Sequence, residues 1–354
     1  MKKRFLSMAL CVVMVFVFAA CGNSTSTSTS TSSGTNSSAG NTSDTIEPIV
    51  LKFATQHPVD HVAQTSAENI KAAIEEGTEG RVLIDLYPAS QLGDYLQVYE
   101  EVMRGTIQIA HISGNEQFDS RGTANFLPYI ASDYSELEKA YGPNSYLGEQ
   151  FVEIQGNQGI KFLGFYCEGL SGIGSKTEVT DPITFGTDKN TLLRIAPFTT
   201  WSETIGGFGY KTSNIPYSDT YSAIQTGVVD GWAGGPANLN YMTFRDVIKY
   251  YYQINVTTEA TQYLMTADVF DNLLPEDQKV VEEAFKVESI NSFKDAQAED
   301  EKYMQMLRDM GIEVVTFTPE ELDKAAREVR EQVWPKLESV YSPELVQGLK
   351  GALS

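Results

Sequence analysis

Arg194 is the residue of this 354-residue chain whose surroundings point most directly to chemistry. It stands among apolar residues in the segment Leu-Leu-Arg-Ile-Ala-Pro, where a buried strand is expected to reach its carboxyl end. Desolvating an unpaired guanidinium costs several kcal/mol, so this side chain must either form an ion pair or face a polar cavity. From the residues alone, an internal ion pair that supports the structure is the default interpretation.

Two histidines in the segment His57-Pro-Val-Asp-His61 are four residues apart, a spacing that zinc ligands use on a helix. Pro58 directly follows the first histidine, so the two side chains are not expected to lie on one regular helix. No third ligand is evident in the sequence. We therefore predict no metal site and no cofactor.

Nucleotide-binding and hydrolase motifs are not found either. Residues 169–174 and 206–209 are rich in glycine, but neither segment has the GxGxxG spacing or a Gly-Lys-Ser/Thr ending, so they are interpreted as turns and a helix end. No Gly-x-Ser-x-Gly nucleophile elbow occurs. Cys167 is interpreted as a small buried hydrophobic residue. The sequence gives no local support for an enzyme.

The composition narrows the class of partner. The formal net charge of −21 argues against nucleic acid and anionic lipid, because phosphate contacts need a basic surface. An anionic ligand would have to be held by a few placed Arg or Lys side chains acting against that field. Hydrophobic residues make up 42% of the chain, which is typical of a globular core.

The amino-terminal residues predict export and membrane attachment. Three basic residues at positions 2–4 precede the apolar run 5–20, which is too short to span a bilayer, since that takes about 20 apolar residues. Two alanines then precede Cys21, an arrangement that resembles the lipobox of bacterial lipoproteins, in which the cysteine is acylated. The alternative is a plain secretory signal with an incidental Cys21. Residues 22–45 are nearly all Ser, Thr, Gly and Asn, and a flexible linker of that length reaches about 25–30 Å.

Hydrophobic periodicity predicts an α/β fold for the remaining residues, because strands alternate with helices in two consecutive series. Strands are predicted at residues 50–54, 81–87, 107–110, 160–166, 192–195, 210–215 and 228–230. Helices are predicted at residues 60–77, 96–105, 198–205, 218–227, 275–309 and 319–334, with Ser218 and Thr318 as N-caps. Two series indicate two lobes with a cleft between them. Ligands bind outside the carboxyl ends of such strands, here at residues 55–56, 87–88 and 111–115.

Residues 193–238 resemble the solute-binding proteins of tripartite ATP-independent periplasmic (TRAP) transporters. The markers are the Arg194 strand, Asn-Ile-Pro-Tyr-Ser at 214–218 and Tyr-Ser-Ala-Ile-Gln-Thr-Gly-Val-Val-Asp-Gly at 221–231. Tyr-Pro-Ala-Ser-Gln-Leu-Gly at 87–93 and Val-Met-Arg-Gly at 102–105 match the first lobe of the family. Met-Gly-Ile-Glu-Val at 310–314 and Pro-Glu-Glu-Leu at 319–322 fit its closing helices. The similarity extends from Val50 to the end of the chain.

The resemblance implies a two-lobed α/β fold like that of type II periplasmic binding proteins. Each lobe would be a mixed, mostly parallel sheet with helices, and long C-terminal helices would brace both lobes. The implied organisation is a signal peptide at residues 1–20, an acylated cysteine and linker at 21–46, lobe I at 47–167 plus 256–290, lobe II at 168–255, and bracing helices at 291–354.

The resemblance also implies that Arg194 forms a bidentate pair with a ligand carboxylate, which a lysine cannot do. The implied ligand-binding residues share positions at strand ends or on loops beside the cleft: Arg194, Gln56, Ser113, Gly114, Asn115, Tyr217, Trp232, Gly234, Asn238 and Trp201.

The chain departs from the family pattern at two positions. A second arginine common in the family falls near Ser171, and this chain has none there. After Gly231 the family often has Gln-Glu-Asn-Pro, whereas this chain has the longer run Trp-Ala-Gly-Gly-Pro at 232–236. These departures weaken the case for a sugar acid held by two arginines. Trp201 and Trp232 indicate a flat or apolar ligand body beside one carboxylate, or they belong to the core.

The resemblance implies a non-enzymatic, monomeric receptor for a small organic acid, which it delivers to the permease subunits of a TRAP transporter. Its location would be outside the cytoplasm, on a membrane to which Cys21 anchors it. One alternative is the receptor of an ATP-driven importer, which shares the two-lobe plan. Another is a surface hydrolase or lyase, which would need a paired acid and base in the cleft, for example near Gln56 or His111.

Overall fold

The computed structural model describes residues 47–353. The predicted signal peptide, Cys21 and the whole predicted linker lie outside these residues. Eleven strands are present in the described part: β1 Ile49–Thr55, β2 Val82–Tyr87, β3 Ile109–Ile112, β4 Ile160–Leu170, β5 Ile173–Ser175, β6 Leu192–Ile195, β7 Lys211–Asn214, β8 Gly231–Ala233, β9 Tyr250–Tyr252, β10 Thr258–Thr266 and β11 Glu313–Val315.

The α-helices of the described part are α1 Val62–Gly77, α2 Tyr95–Arg104, α3 Leu137–Tyr141, α4 Tyr146–Gly156, α5 Thr199–Gly207, α6 Thr220–Thr226, α7 Ala237–Leu239, α8 Ala267–Asp271, α9 Pro275–Asp309, α10 Pro319–Gln332, α11 Trp334–Tyr341 and α12 Pro343–Leu353. Within residues 47–353, no helix is long and apolar enough to cross a membrane.

Local side-chain chemistry explains where several helices begin and end. Asp94 forms a capping box with Gln97 at the start of α2, and Gly105 ends that helix in the left-handed conformation at φ 74°. Thr318 forms the equivalent capping box at the start of α10, as predicted. These caps satisfy backbone N–H groups that have no partner inside the helix.

The first sheet has the strand order β2-β1-β3-β10-β4. β1 pairs in parallel with β2 and β3, whereas β10 is antiparallel to both β3 and β4. All nine residues of β10 are buried, since this strand lies between two others and under helices. Because β10 runs in the opposite direction, its amino end lies at the same edge as the carboxyl ends of β1 and β3.

The second sheet has the order β11-β9-β5-β8-β6-β7. Its neighbouring strands β6 and β8 are parallel, with Arg194 in register with Trp232. The chain enters this sheet after β4 and returns to the first sheet after β9. The two mixed sheets with their helices confirm the predicted two-lobed fold class.

The long helix α9 packs beside both sheets. It packs against α1 and β4 beside the first sheet and against α7 and β11 beside the second. α11 contacts α5, and α12 contacts α4. C-terminal helices therefore brace both sheets. The predicted boundary after residue 290 falls inside α9 and does not separate two elements.

Two local predictions were wrong. The strand predicted at residues 228–230 lies instead at β8, because Gly231–Ala233 is the segment that pairs with β5 and β6. Ser218 is not an N-cap: it lies in a short 3-10 turn, Tyr217–Asp219, that leads directly into α6. The β-branched pair before Asp230 has strand propensity, but the pairing partners decide where the strand lies.

Candidate functional site: a cavity between the two sheets

A cavity lies where the strand ends of the two sheets meet. It contains about 570 Å³ of space between protein atoms, part of it open to solvent. Most of its wall is apolar, with a few polar groups directed inward, as in small-molecule sites. The lining residues are Gln56, His57, Pro58, Tyr95, Ser113, Phe126, Arg194, Ala196, Phe198, Trp201, Tyr217, Trp232, Ala233, Gly234, Leu239 and Glu259.

Arg194 on β6 contributes the cation of this wall. Its side chain is 3% exposed, and its Nε donates a hydrogen bond of 2.8 Å to the carbonyl oxygen of Ile215. Within residues 47–353, no carboxylate oxygen lies within 4.0 Å of its guanidinium nitrogens. Burial lowers the pKa of Arg194 from its ordinary value, although nearby tyrosines and Glu259 oppose that shift. The described structure therefore does not contain the internal ion pair that the sequence favoured by default.

Glu259 contributes a carboxylate to the same cavity. It lies at the amino end of β10, which the antiparallel pairing brings to the edge where β1 and β3 end. The side chain is buried and accepts a hydrogen bond from the backbone N–H of Gly235. Burial, and then the nearby carboxylate of Glu168, raise the pKa of Glu259 to about 8. Sequence reasoning missed this residue.

Gln56 and Ser113 form a polar pair on the wall formed by the first sheet. Nε2 of Gln56 donates to the Ser113 hydroxyl at 3.1 Å, and the Ser113 backbone N–H donates to Oε1 of Gln56 at 2.9 Å. They directly follow β1 and β3, which are adjacent and parallel. The reciprocal bonds fix the amide at the strand ends, where the sequence predicted a ligand-facing loop.

Aromatic side chains form much of the remaining wall. Trp201 and Trp232 are each 2% exposed, so both belong to the core and also line the cavity. The Arg194 guanidinium lies 5.9 Å from the centre of the Tyr217 ring. Gly235, at φ 69°, passes so close to the Trp232 indole that a Cβ there would lie 2.3 Å from it. The Gly-Gly pair after β8 thus lets the backbone turn tightly around this indole.

A buried histidine–carboxylate cluster lies behind the wall of the first sheet. Nε2 of His57 lies 2.7 Å from Oε1 of Glu168, and Nε2 of His61 lies 3.9 Å from its Oε2. The ring centre of His111 is 4.4 Å from that of His57. Burial and then repulsion by His57 lower the pKa of His61 to about 4, and burial lowers the pKa of His111. Burial alone would raise the pKa of Glu168, but the attraction and hydrogen bond of His57, together with His61 and Thr261, outweigh it and the pKa is lowered.

This cluster corrects one step of the sequence argument. The prediction of no metal site depended on the lack of a third ligand, yet donor atoms of His57, His111 and Glu168 lie within 4.8 Å of one another. His61, the second histidine of the spacing noted in the sequence, is not one of these three, and its ring stacks on that of His57 with the planes 20° apart. Because His57 already bonds Glu168, the contacts describe a hydrogen-bonded network that holds an ionised carboxylate behind the cavity.

Seven of the ten predicted ligand-binding residues line the cavity, and three do not. A Cβ at Gly114 would lie 2.4 Å from the carbonyl oxygen of Gly122, so this glycine permits close backbone packing. Oδ1 of Asn115 accepts from the Gln117 backbone N–H, and Nδ2 of Asn238 donates to the Glu168 carbonyl oxygen. The structure therefore places Gly114, Asn115 and Asn238 behind the wall, where their contacts support its backbone.

The structure also shows the surroundings of Ser171 and Cys167, two positions considered in the sequence analysis. Ser171, where the family often has a second arginine, is fully buried and pairs with Thr257 through both backbone and hydroxyl hydrogen bonds. Cys167 is 3% exposed and is a free thiol, as predicted, and burial raises its pKa.

The sequence profile of "bacterial extracellular solute-binding protein, family 7" matches residues 53–339 of this chain. The C4-dicarboxylate-binding periplasmic protein DctP of Rhodobacter capsulatus is 27% identical over 311 residues, which is 86% of this chain and 91% of that protein. The ectoine-binding periplasmic protein TeaA of Halomonas elongata is 22% identical over 294 residues, covering 80% of this chain and 83% of TeaA.

Solved structures share the fold. A TRAP periplasmic solute-binding protein from Shewanella oneidensis with bound succinate gives a TM-score of 0.76 at 19% identity, covering 87% of this chain and 100% of that chain. One from Desulfovibrio salexigens with bound orotic acid also gives 0.76, at 17% identity, covering 86% and 98%.

Proposed function

The chain belongs to bacterial extracellular solute-binding protein family 7, and from this membership we propose that it captures a small organic acid outside the cytoplasm for a TRAP-type permease. The family is one of solute-binding proteins and not of enzymes. We accordingly assign the cavity between the sheets to ligand capture without turnover. The names of the relatives support an acid: the Rhodobacter protein binds C4-dicarboxylates, and the Shewanella structure holds succinate.

The observation that carries the proposal is the unpaired cation in the cavity. Arg194 is buried, and within residues 47–353 no carboxylate lies within 4.0 Å of its guanidinium. A desolvated cation without a partner is unfavourable, so a ligand carboxylate would remove part of that cost. Its planar fork offers two parallel N–H donors to two carboxylate oxygens. Gln56, Ser113, Tyr217, Trp201, Trp232 and Gly234 then complete the proposed ligand-binding set.

Ligand capture would involve closure of two lobes, residues 47–167 plus 256–290 and residues 168–255. The segments that cross between the sheets lie between β4 and β5 and between β9 and β10, and they are joined by the Ser171–Thr257 pair. A ligand that contacts both walls favours the closed state by its differential affinity. Attachment through an acylated Cys21 and a flexible linker would keep this monomeric receptor near its permease.

A thermal-shift screen tests the proposal. Ligand binding raises the melting temperature, because it stabilises the folded state by RT ln(1 + [L]/Kd). The panel should contain monocarboxylates, dicarboxylates, aromatic acids, amino-acid zwitterions, neutral sugars and amides. We expect stabilisation by at least one carboxylate-bearing compound. Stabilisation by neutral sugars alone, with no response to any carboxylate, would overturn it.

A further inference from the structure

The cavity holds a buried guanidinium and a buried carboxyl group that do not form an ion pair with each other. Arg194 belongs to the second sheet and Glu259 to the first, and both side chains line the same space. Within the described residues no oxygen of Glu259 comes within 4.0 Å of the Arg194 guanidinium. Ion-pair formation between them would have satisfied both, so the space between them is available to a ligand that contacts each.

We propose that the ligand of this cavity is a zwitterion, whose carboxylate binds Arg194 while its substituted ammonium group lies between Glu259 and the aromatic side chains. This inference rests on the proposed function, since it names the ligand class of the same cavity. It assigns Glu259 a role in specificity that the sequence did not indicate.

The alternative ligand for this cavity carries only a carboxylate. Such a ligand would satisfy Arg194 but would leave Glu259 buried near the carboxylate of Glu168 and without a cation, which keeps its carboxyl group mainly protonated at neutral pH. An ammonium group would attract the ionised form of Glu259 and lower its pKa. One molecule with both groups would pair with both walls.

The charge behind the wall acts in the same direction. Glu168 lies beneath the wall of the first sheet, and its interaction with His57 keeps it ionised. Its field disfavours a second anion and favours a cation on the Glu259 side. The net charge of −21 also favours a ligand with a cationic end over one with several negative charges.

The aromatic lining suits a substituted ammonium group. Six lining residues are phenylalanine, tyrosine or tryptophan: Tyr95, Phe126, Phe198, Trp201, Tyr217 and Trp232. Ring faces attract cations within about 6 Å, and apolar substituents on the nitrogen can pack against them. A primary ammonium needs three hydrogen-bond acceptors, whereas N-alkylation reduces that need. The wall offers few acceptors besides Glu259, so we favour secondary to quaternary ammonium compounds.

Pairs of ligands with the same shape but different charge test this directly. Their affinities for the exported protein are measured by isothermal titration calorimetry. Trimethylglycine differs from 3,3-dimethylbutanoate only by nitrogen in place of carbon, so shape is constant and charge changes. L-Proline with cyclopentanecarboxylate and γ-aminobutyrate with pentanoate extend the comparison to secondary and primary ammonium groups. We expect at least one zwitterion to bind at least ten-fold more tightly than its carbon partner.

The variant Glu259→Gln identifies the residue responsible. The amide keeps the volume and an oxygen that can accept from Gly235, but it cannot ionise beside an ammonium group. We expect it to reduce zwitterion affinity about ten-fold or more and to leave the carbon isosteres unchanged or improved. Glu116→Gln is the matched control, because Glu116 is a partly buried glutamate outside the cavity wall and should leave both affinities unchanged.

The outcomes separate this inference from the proposed function. Binding of the carbon isosteres or of succinate as tight as that of every zwitterion, or no response to any ammonium carboxylate, overturns the zwitterion and leaves organic-acid capture in place. The same holds if zwitterions bind but Glu259→Gln changes nothing. If neutral sugars bind and no carboxylate of either kind does, both proposals fail.

Discussion

The two walls of the cavity differ in the way they place charge. The second sheet contributes one guanidinium near the carboxyl end of a short strand, held by a backbone carbonyl and close to an aromatic ring. The first sheet contributes a carboxylate at the start of β10, the Gln56–Ser113 pair and, behind them, the histidine–carboxylate cluster. A ligand that joins these walls must satisfy a cation on one side and polar or anionic groups on the other.

The origin of the difference lies in the topology. Arg194 lies on a parallel strand, so its position at the carboxyl end can be inferred from neighbouring residues. Glu259 reaches the same edge only because β10 is antiparallel and pairs with strands about 90–150 residues earlier in the chain. Local sequence therefore reveals one wall of the site, and long-range pairing creates the other.

Removal of the guanidinium should have the largest effect. Arg194→Ala should weaken binding of a carboxylate ligand about thirty-fold or more, because truncating one member of a desolvated charge pair costs roughly 2–5 kcal/mol. Arg194→Lys should also weaken binding markedly, since an ammonium is a point charge and not a fork. Calorimetric affinities of both variants measure this.

The ligand-free stability of the same variants is the control. The structure gives Arg194 no carboxylate partner among residues 47–353, so the melting temperature of ligand-free Arg194→Ala should stay close to that of the wild type. An Arg194→Ala protein that is destabilised by about 3–5 kcal/mol but binds with wild-type affinity would show a structural role instead.

Loss of the polar pair on the opposite wall should have a smaller effect. Gln56→Leu removes a donor to the Ser113 hydroxyl and an acceptor for its backbone N–H. The variant also removes the amide from the cavity wall, and one lost hydrogen bond to a ligand costs about 1 kcal/mol, so we expect roughly a five-fold loss of ligand affinity. Equal affinity in the variant and the wild type would show that this amide does not contribute to binding.

The melting temperature should change by a few degrees with pH, because two buried carboxyl groups have raised pKa values. Burial raises the pKa of Glu259 to about 8 and that of Asp300 to about 7, so the folded state holds protons that the unfolded state has lost. Their stabilising contribution is complete below about pH 4.5 and decreases as the pH rises toward 8. His61 and His111, whose pKa values are lowered, change the stability only below about pH 6.5. A change of stability between pH 6.5 and 8.5 therefore reports on the two carboxyl groups and not on these histidines.

The ligand-free melting temperature should therefore fall by about 2–4 °C between pH 6.5 and 8.5. The decrease should be smaller in Glu259→Gln, with the contribution of Asp300 remaining. The groups that act on Glu259 in this range are Glu168 on β4 and Arg194 on β6. An identical slope in the variant and the wild type would mean that Glu259 is ionised throughout.

The sequence sufficed for much of the fold and for half of the site. Helix α10 with its Thr318 capping box, the long α9 and the strand around Arg194 follow from periodicity and end signals. It did not locate β8, because the strand propensity of Val228 and Val229 is local whereas pairing with β5 is not. No motif in the nearby sequence marks Glu259, or Glu168 and His111 of the histidine–carboxylate cluster. Only tertiary contacts bring these residues to the site.

A crystal structure of the protein purified without denaturation and with ligand retained tests the central claim most directly. We predict density in the cavity for a small molecule whose carboxylate oxygens lie 2.7–2.9 Å from two nitrogens of Arg194, roughly the charge-assisted hydrogen-bond range. A ligand that occupies the cavity with no acidic group at Arg194, or that binds elsewhere while Arg194 remains unbound, would contradict the account.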